Sequence, residues 1–423
     1  MKEIVKKIVS QTLATHTGKN SLLTIIAIGI NTIFSAGFFI ILARGLGPSQ
    51  LGLFSVALAL MLTATGFADW GTNYGILRFV PGTKDPRSFL KLGLLAKIGF
   101  GLVATLIVGF SSNLLATSLF HKPELTPLFV VSSLGILGGL LYGYGLNTTQ
   151  ALQKFIAWSG LQIGPSLLRL LLLVALLFLG LLNPQSALLA YMAMLFAVFL
   201  GCLPFLPKNM MKAAITHDTL SKFFSYNKWM ALYTALLTLT GNVDRFFLAR
   251  FSTASQVGYY VAALQIAGVG IQVQVALGTV LIPRFASISS RSGVISYLKK
   301  TALLTSSLAF GGVLVALIAQ PLTSIIFGQA FLPSVAPLRI LIVSVALFLS
   351  SLPFTSVWLY TLGKARDFSL FFLLVSTLIF VLNWLLVPSL GAVGSAIASL
   401  SGNALTLFGS IIYVKTHLNL IKA

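Results

Sequence analysis

Arg169 stands in the run Leu167-Leu168-Arg169-Leu170-Leu171, a guanidinium with apolar neighbours on both sides. An ionised side chain at the centre of a membrane helix costs about 2.5 to 3.5 kcal/mol on insertion scales, so something must compensate it. Four residues earlier, Pro165 removes a helical hydrogen bond and predicts a kink with a freed carbonyl. An acceptor-rich anion would suit the guanidinium fork; an internal pair to Asp69 or a carbonyl would serve equally. Asp69 and Asp244 are the carboxylates inside apolar runs and the available seats for a coupling H⁺ or Na⁺. Arg245 adjoins Asp244, although neighbours on a helix point about 100° apart. Asp69 is therefore the stronger coupling candidate.

All of this is reversible ion binding rather than bond-breaking chemistry. No Ser/His/Asp set, Walker loop or dinucleotide fingerprint occurs, and His16, His121, His217 and His417 all flank apolar runs. The single Cys202 excludes an intrachain disulfide or a cysteine-based metal cluster. The expectation is a protein that is not an enzyme and needs no cofactor, driven by H⁺, Na⁺ or the membrane potential.

The elements that position these charges are membrane helices. Of 423 residues, 57% are hydrophobic and only 8% charged, with a mean hydropathy of +0.98. A soluble chain would carry about 25% charged residues. The net charge of +21 has no polar domain on which to form a nucleic-acid surface, so nucleic acid is excluded as a partner. Twelve apolar runs are long enough to span: 22–43, 52–79, 92–117, 126–146, 156–181, 186–206, 229–250, 257–282, 301–326, 335–361, 368–388 and 392–414. The lead-in carrying Lys2, Lys6, Lys7 and Lys19 reads as an amphipathic cytosolic segment rather than a cleaved signal. With the N-terminus inside, 21 of the 28 Lys and Arg fall in cytoplasmic segments, against Arg44, Lys122 and Arg250 outside. Both termini are thus expected in the cytoplasm. Lys97 and Arg339 lie near span ends, where snorkelling is expected.

Sliding the chain on itself by 206 residues aligns 40–80 with 246–286 without a gap. Leu42, Ala43, Arg44, Ser49, Gln50, Gly52, Ala57, Leu58, Arg78 and Phe79 meet Leu248, Ala249, Arg250, Ser255, Gln256, Gly258, Ala263, Leu264, Arg284 and Phe285. Shared apolar composition does not account for the polar matches. Six spans per half give both halves the same topology, so a parallel repeat is expected. The reading is an all-α membrane protein of about twelve helices: a lobe over 1–206, a cytoplasmic linker over 207–228, and a lobe over 229–423.

This chain resembles the polysaccharide (O-antigen type) flippases of the multidrug/oligosaccharidyl-lipid/polysaccharide exporter superfamily. The resemblance lies in Leu42-Ala43-Arg44-Gly45-Leu46-Gly47-Pro48-Ser49-Gln50-Leu51-Gly52-Leu53-Phe54, Ala68-Asp69-Trp70-Gly71 and Leu77-Arg78-Phe79-Val80. It continues in Asp244-Arg245-Phe246-Phe247-Leu248-Ala249-Arg250, Val257-Gly258-Tyr259-Tyr260, Ile282-Pro283-Arg284 and Phe327-Gly328-Gln329-Ala330-Phe331. It implies two lobes rocking about a cavity to move a polyprenyl-diphosphate oligosaccharide from the cytosolic to the outer leaflet of the inner membrane. Membrane lipids, and a glycan polymerase or assembly protein, would be its partners.

On that reading Arg169, Arg245, Arg78 and Arg284 are candidates for substrate binding, with Arg169 offering a diphosphate its fork. Asp69, Asp244, Arg44 and Arg250 are candidates for coupling or gating. Arg44 and Arg250 could instead cap the last helical carbonyls, and topology alone predicts Arg78 and Arg284. Polar stripes mark the cavity wall: Thr24, Asn31 and Ser35; Thr65, Asp69 and Asn73; Thr234, Thr238, Asn242 and Arg245; Gln265 and Gln272. Span 5 adds the stripe Gln162, Ser166 and Arg169, spans 1, 2, 7 and 8 are the candidates for the wall, and packing is the competing account of the Ser and Thr members throughout. The glycines of span 4 suit either close packing or bending. A multidrug exporter of the same superfamily is the nearest rival, and intramembrane arginines serve organic cations poorly. A major-facilitator transporter would carry an Arg-rich turn that residues 78–87 lack.

Overall fold

The structure, a computed structural model, describes residues 16–83, 85–288 and 290–420. Lys2, Lys6, Lys7, Lys84 and Lys422 lie outside the described residues, as does most of the expected amphipathic lead-in. Every regular element described is helical. Among the described residues, ten segments are long and apolar enough to cross a membrane. The first, Ile26–Ala68, has 43 residues, about twice the roughly 20 that one crossing needs.

That length is resolved inside helix α1 (His16–Ala68), which is broken at Gly47, with φ 71° and ψ 175°. Glycine reaches such a conformation without a Cβ penalty, and Pro48 then begins the second leg with φ already set for a helix. The expected interhelical loop is thus a single-residue break. After Ala68 the chain is interrupted again, because Trp70 and Gly71 both take left-handed conformations. Span 52–79 accordingly divides into the second leg of α1 and a short helix, α2 (Thr72–Phe79).

The remaining helices are α3 (Arg87–Leu114), α4 (Thr126–Ala151), α5 (Phe155–Phe178), α6 (Pro184–Cys202) and α7 (His217–Thr240). They continue as α8 (Val243–Phe251), α9 (Ala254–Ser287), α10 (Arg291–Leu314), α11 (Ala319–Phe327), α12 (Val335–Ser356), α13 (Ala365–Leu390) and α14 (Ala392–His417). The run 229–250 is split by Gly241-Asn242 into the end of α7 and the start of α8. With that pair and the two legs of α1 counted, the crossings number about twelve. The segment read as a linker becomes helical at His217, where the Thr216 hydroxyl accepts from Thr219 N at 3.2 Å and caps α7.

The chain forms two compact units, 1–46 with 56–242 and 47–55 with 243–423. In the first, α4 is the enclosed central helix, packed by α3 and α6. Its glycines serve close packing along an uninterrupted helix: a Cβ on Gly135 would collide with the sulfur atoms of Met61 and Met192. In the second, α12 plays that part, packed by α9, α10 and α14. Residues 126–151 shifted by 206 fall on 332–357, so the most enclosed crossing of one unit is the repeat mate of that of the other.

Candidate substrate and coupling sites

Within the first unit a cavity of about 320 Å³ opens between the first leg of α1, its second leg, α4, α5 and α6. Arg169 reaches into it from α5, Asn31 and Ser35 from α1, Thr65 from the second leg, Tyr142 from α4 and Tyr191 from α6. The helical spacing of Gln162, Ser166 and Arg169 places all three on this wall. Pro165 also lines it, in a helix that runs on unbroken to Phe178. The five walls differ from the expected set, which had spans 7 and 8 in place of 4, 5 and 6.

Arg169 donates from Nη2 to the Ser35 hydroxyl at 3.0 Å. Its Cζ lies 4.7 Å from the ring centroids of both Phe38 and Tyr191, which are themselves 6.2 Å apart. The guanidinium therefore sits in the angle between two ring faces, each worth about 0.5 to 2 kcal/mol to a cation. Its Nε is buried and has no hydrogen-bond partner. No carboxylate pairs with Arg169 among the described residues. Beside it, Ser166 donates to Asn31.

Asp69, the alternative internal partner, is committed elsewhere. It precedes the left-handed pair Trp70-Gly71, and its side chain accepts from Thr72 Oγ1 at 3.0 Å and from Asn73 N at 3.4 Å, both in the first turn of α2. Lys97 donates its ammonium to the same carboxylate. Lys97 is fully buried rather than snorkelling. From Asn73 the network extends to Asn147 on α4 at 2.9 Å.

In the second unit Asp244 occupies the first turn of α8 and is held by three neutral donors. Tyr260 Oη donates to it at 2.5 Å, Asn383 Nδ2 at 2.9 Å and Ser399 Oγ at 3.3 Å. Ser395 in turn donates to Asn383 Oδ1 at 2.7 Å. Four helices, α8, α9, α13 and α14, thus converge on one carboxylate. Carried two residues beyond the aligned block, the 206-residue offset makes Asp244 the mate of Phe38, the ring over Arg169. One position of the repeat supports a cation in the first unit and supplies an anion in the second.

The other predicted residues do not join these clusters. Arg78 is exposed and lies over the Tyr226 ring at 4.7 Å, and Arg284 is exposed near the end of α9. Arg44 is exposed just before the Gly47 break. Arg250 ends α8 over Phe251, with a buried Nη1 that has no hydrogen-bond partner. Arg245 is half-buried beside Asp244. Thr234 and Thr238 bond to carbonyls of their own helix, as the packing account of such residues expects. The sequence points to Lys97 only as a snorkelling residue, and it does not single out Tyr191, Tyr260 or Asn383 for either site. A lone Asn in the run Phe380-Val381-Leu382-Asn383-Trp384 was the one available signal.

A bundle of about twelve membrane helices, with an arginine-bearing cavity in one unit and a caged carboxylate in the other, defines an all-α integral membrane protein. Residues 17–289 match the family described as polysaccharide biosynthesis protein, and the chain belongs to that family. No curated protein matches the sequence significantly. Among solved structures, a lipid II flippase, MurJ, in an inward closed conformation shares 13% identity at a TM-score of 0.75, covering 93% of this chain and 87% of that one. An inward-facing multidrug resistance MATE family transporter of the MOP superfamily shares 15% at 0.74, covering 94% and 98%. A MOP superfamily transporter from Pyrococcus furiosus, described as having a binding pocket of reverse polarity, shares 14% at 0.60, covering 95% of each. At these identities the shared property is the fold.

Proposed function

We propose that this protein is a flippase that moves a polyprenyl-diphosphate-linked oligosaccharide from the cytoplasmic to the outer leaflet by alternating access between its two halves. The observation that carries this reading is Arg169: a guanidinium in a cavity of mixed polar, aromatic and aliphatic lining, with no carboxylate partner among the described residues, in a member of a polysaccharide biosynthesis family. An uncompensated cation in a low-dielectric setting favours an anionic cargo. The same charge disfavours the rival multidrug reading, since an organic cation would be repelled.

Coupling falls to Asp244 rather than Asp69. Lys97 already neutralises Asp69, whereas Asp244 is surrounded by hydroxyl and amide groups that can turn oxygen toward a bound H⁺ or Na⁺. The placement that accompanies this reading is the inner membrane with both termini cytoplasmic, supported by the Lys/Arg asymmetry of the loops. No catalytic step is required of the protein, and a glycan polymerase or assembly protein would act beside it.

The test is thermal stabilisation of purified protein by a polyprenyl-diphosphate oligosaccharide, with a cationic amphiphile and a lipid lacking diphosphate as controls. A ligand at 100 times its Kd adds about 2.7 kcal/mol. Stabilisation by the glycolipid alone supports the flippase; stabilisation by the cation alone transfers the protein to the drug-exporter branch.

A further inference from the structure

Resting on the flippase reading, we propose that the Arg169 cavity is a subsite for one carboxylate-bearing sugar of the glycan, and that the diphosphate is held elsewhere. Size is the first argument. At about 320 Å³ the cavity lies at the small end of the roughly 300 to 1,000 Å³ found for small-molecule pockets, room for one pyranose ring but not for a whole lipid-linked glycan.

Charge is the second argument. Arg169 is the single Lys or Arg among the lining residues. A diphosphate diester carries two negative charges and would leave one of them without a cation beside it, whereas one guanidinium balances one charge. A uronate carries one, and its planar carboxylate matches the guanidinium fork.

The third argument is the remaining wall. Asn31, Gln162, Ser35 and Thr65 supply amide and hydroxyl groups, Tyr142 and Tyr191 supply hydroxyl-bearing rings, and aliphatic side chains such as Met61 and Leu195 lie between them. That mixture suits a sugar, whose edge is hydroxyl and whose faces are C–H. A phosphate-binding site would instead gather backbone N–H groups at a helix start or further cations. Both rings near Arg169 already cover part of it, and its buried Nε has no hydrogen-bond partner, which leaves donor capacity for a carboxylate.

The experiment is calorimetric titration of the full-length protein in nanodiscs with methyl glucuronide, methyl glucoside and inorganic pyrophosphate. The glucuronide should bind more tightly than the glucoside by at least about tenfold, the worth of one charge-assisted contact. In Arg169→Gln that preference should vanish. The wild-type comparison stands even if the variant fails to fold. Equal affinity for the two sugars, or Arg169-dependent binding of pyrophosphate, overturns the proposal. A further arm separates it from the flippase reading. If glycolipids with and without a uronate bind equally well, the subsite is wrong and the flippase stands; if neither binds, the flippase reading itself falls.

Discussion

Lys97 and Asp69, on α3 and at the break after α1, form an ion pair in which both side chains are withdrawn from solvent. The pair joins two helices at the point where Trp70 and Gly71 interrupt the chain. Attraction alone does not repay burying two charges, and the hydrogen bonds from Thr72 and Asn73 complete the set.

Replacing one partner should expose that balance. Lys97→Met leaves a buried, uncompensated carboxylate and is expected to cost about 3 to 5 kcal/mol, read as a fall in thermal unfolding temperature. The double variant Lys97→Met/Asp69→Asn should recover most of the loss. If the single variant is as stable as the parent, the pair does not hold the break together.

Arg169→Ala should leave membrane insertion and protein level intact while lowering glycan export by about two orders of magnitude, the scale of a lost charge-assisted contact. Export in cells, normalised to protein in the membrane fraction, measures it. Normal export by the variant would remove Arg169 from the site.

Asp244→Asn should abolish the dependence of transport on an H⁺ or Na⁺ gradient while leaving glycolipid binding unchanged. Tyr260→Phe removes one neutral hydrogen bond and should shift the apparent ion affinity by only about two- to tenfold. Transport into vesicles with imposed gradients distinguishes these outcomes. A gradient response that survives in Asp244→Asn assigns coupling to another group.

Gly52→Ala and Gly258→Ala should each destabilise the protein by about 1 to 3 kcal/mol through overpacking, and by similar amounts. A Cβ on Gly52 would overlap the carbonyl of Ala254, and one on Gly258 would overlap that of Pro48. Unfolding temperatures compared across the two variants check the symmetry; a large effect in one and none in the other contradicts it.

What could be read without coordinates follows from where the information lies. The crossings were legible because bilayer thickness imposes a length that apolar runs must meet, and Arg169 because a charge in such a run violates local pattern. Lys97 was misread because its proximity to a span end predicts snorkelling, whereas its partner lies 28 residues away at the break after α1. The breaks at Gly47 and at Trp70-Gly71 depend on backbone conformations, and only the Gly-Pro pair announced one of them. The cage around Asp244 assembles from α8, α9, α13 and α14, contacts that no local spacing encodes.

The mutual seating of Gly52 and Gly258 has a meaning beyond packing. Positions 48 and 52 correspond to 254 and 258 under the repeat, so each copy offers the other the same carbonyl and the same glycine. Such self-complementary exchange is what a two-fold homodimer makes. Within this single chain the handshake is closed, and neither hand is left for a second molecule. A half-length polypeptide carrying one copy would present an open glycine cradle, and another half-length chain would be its natural occupant.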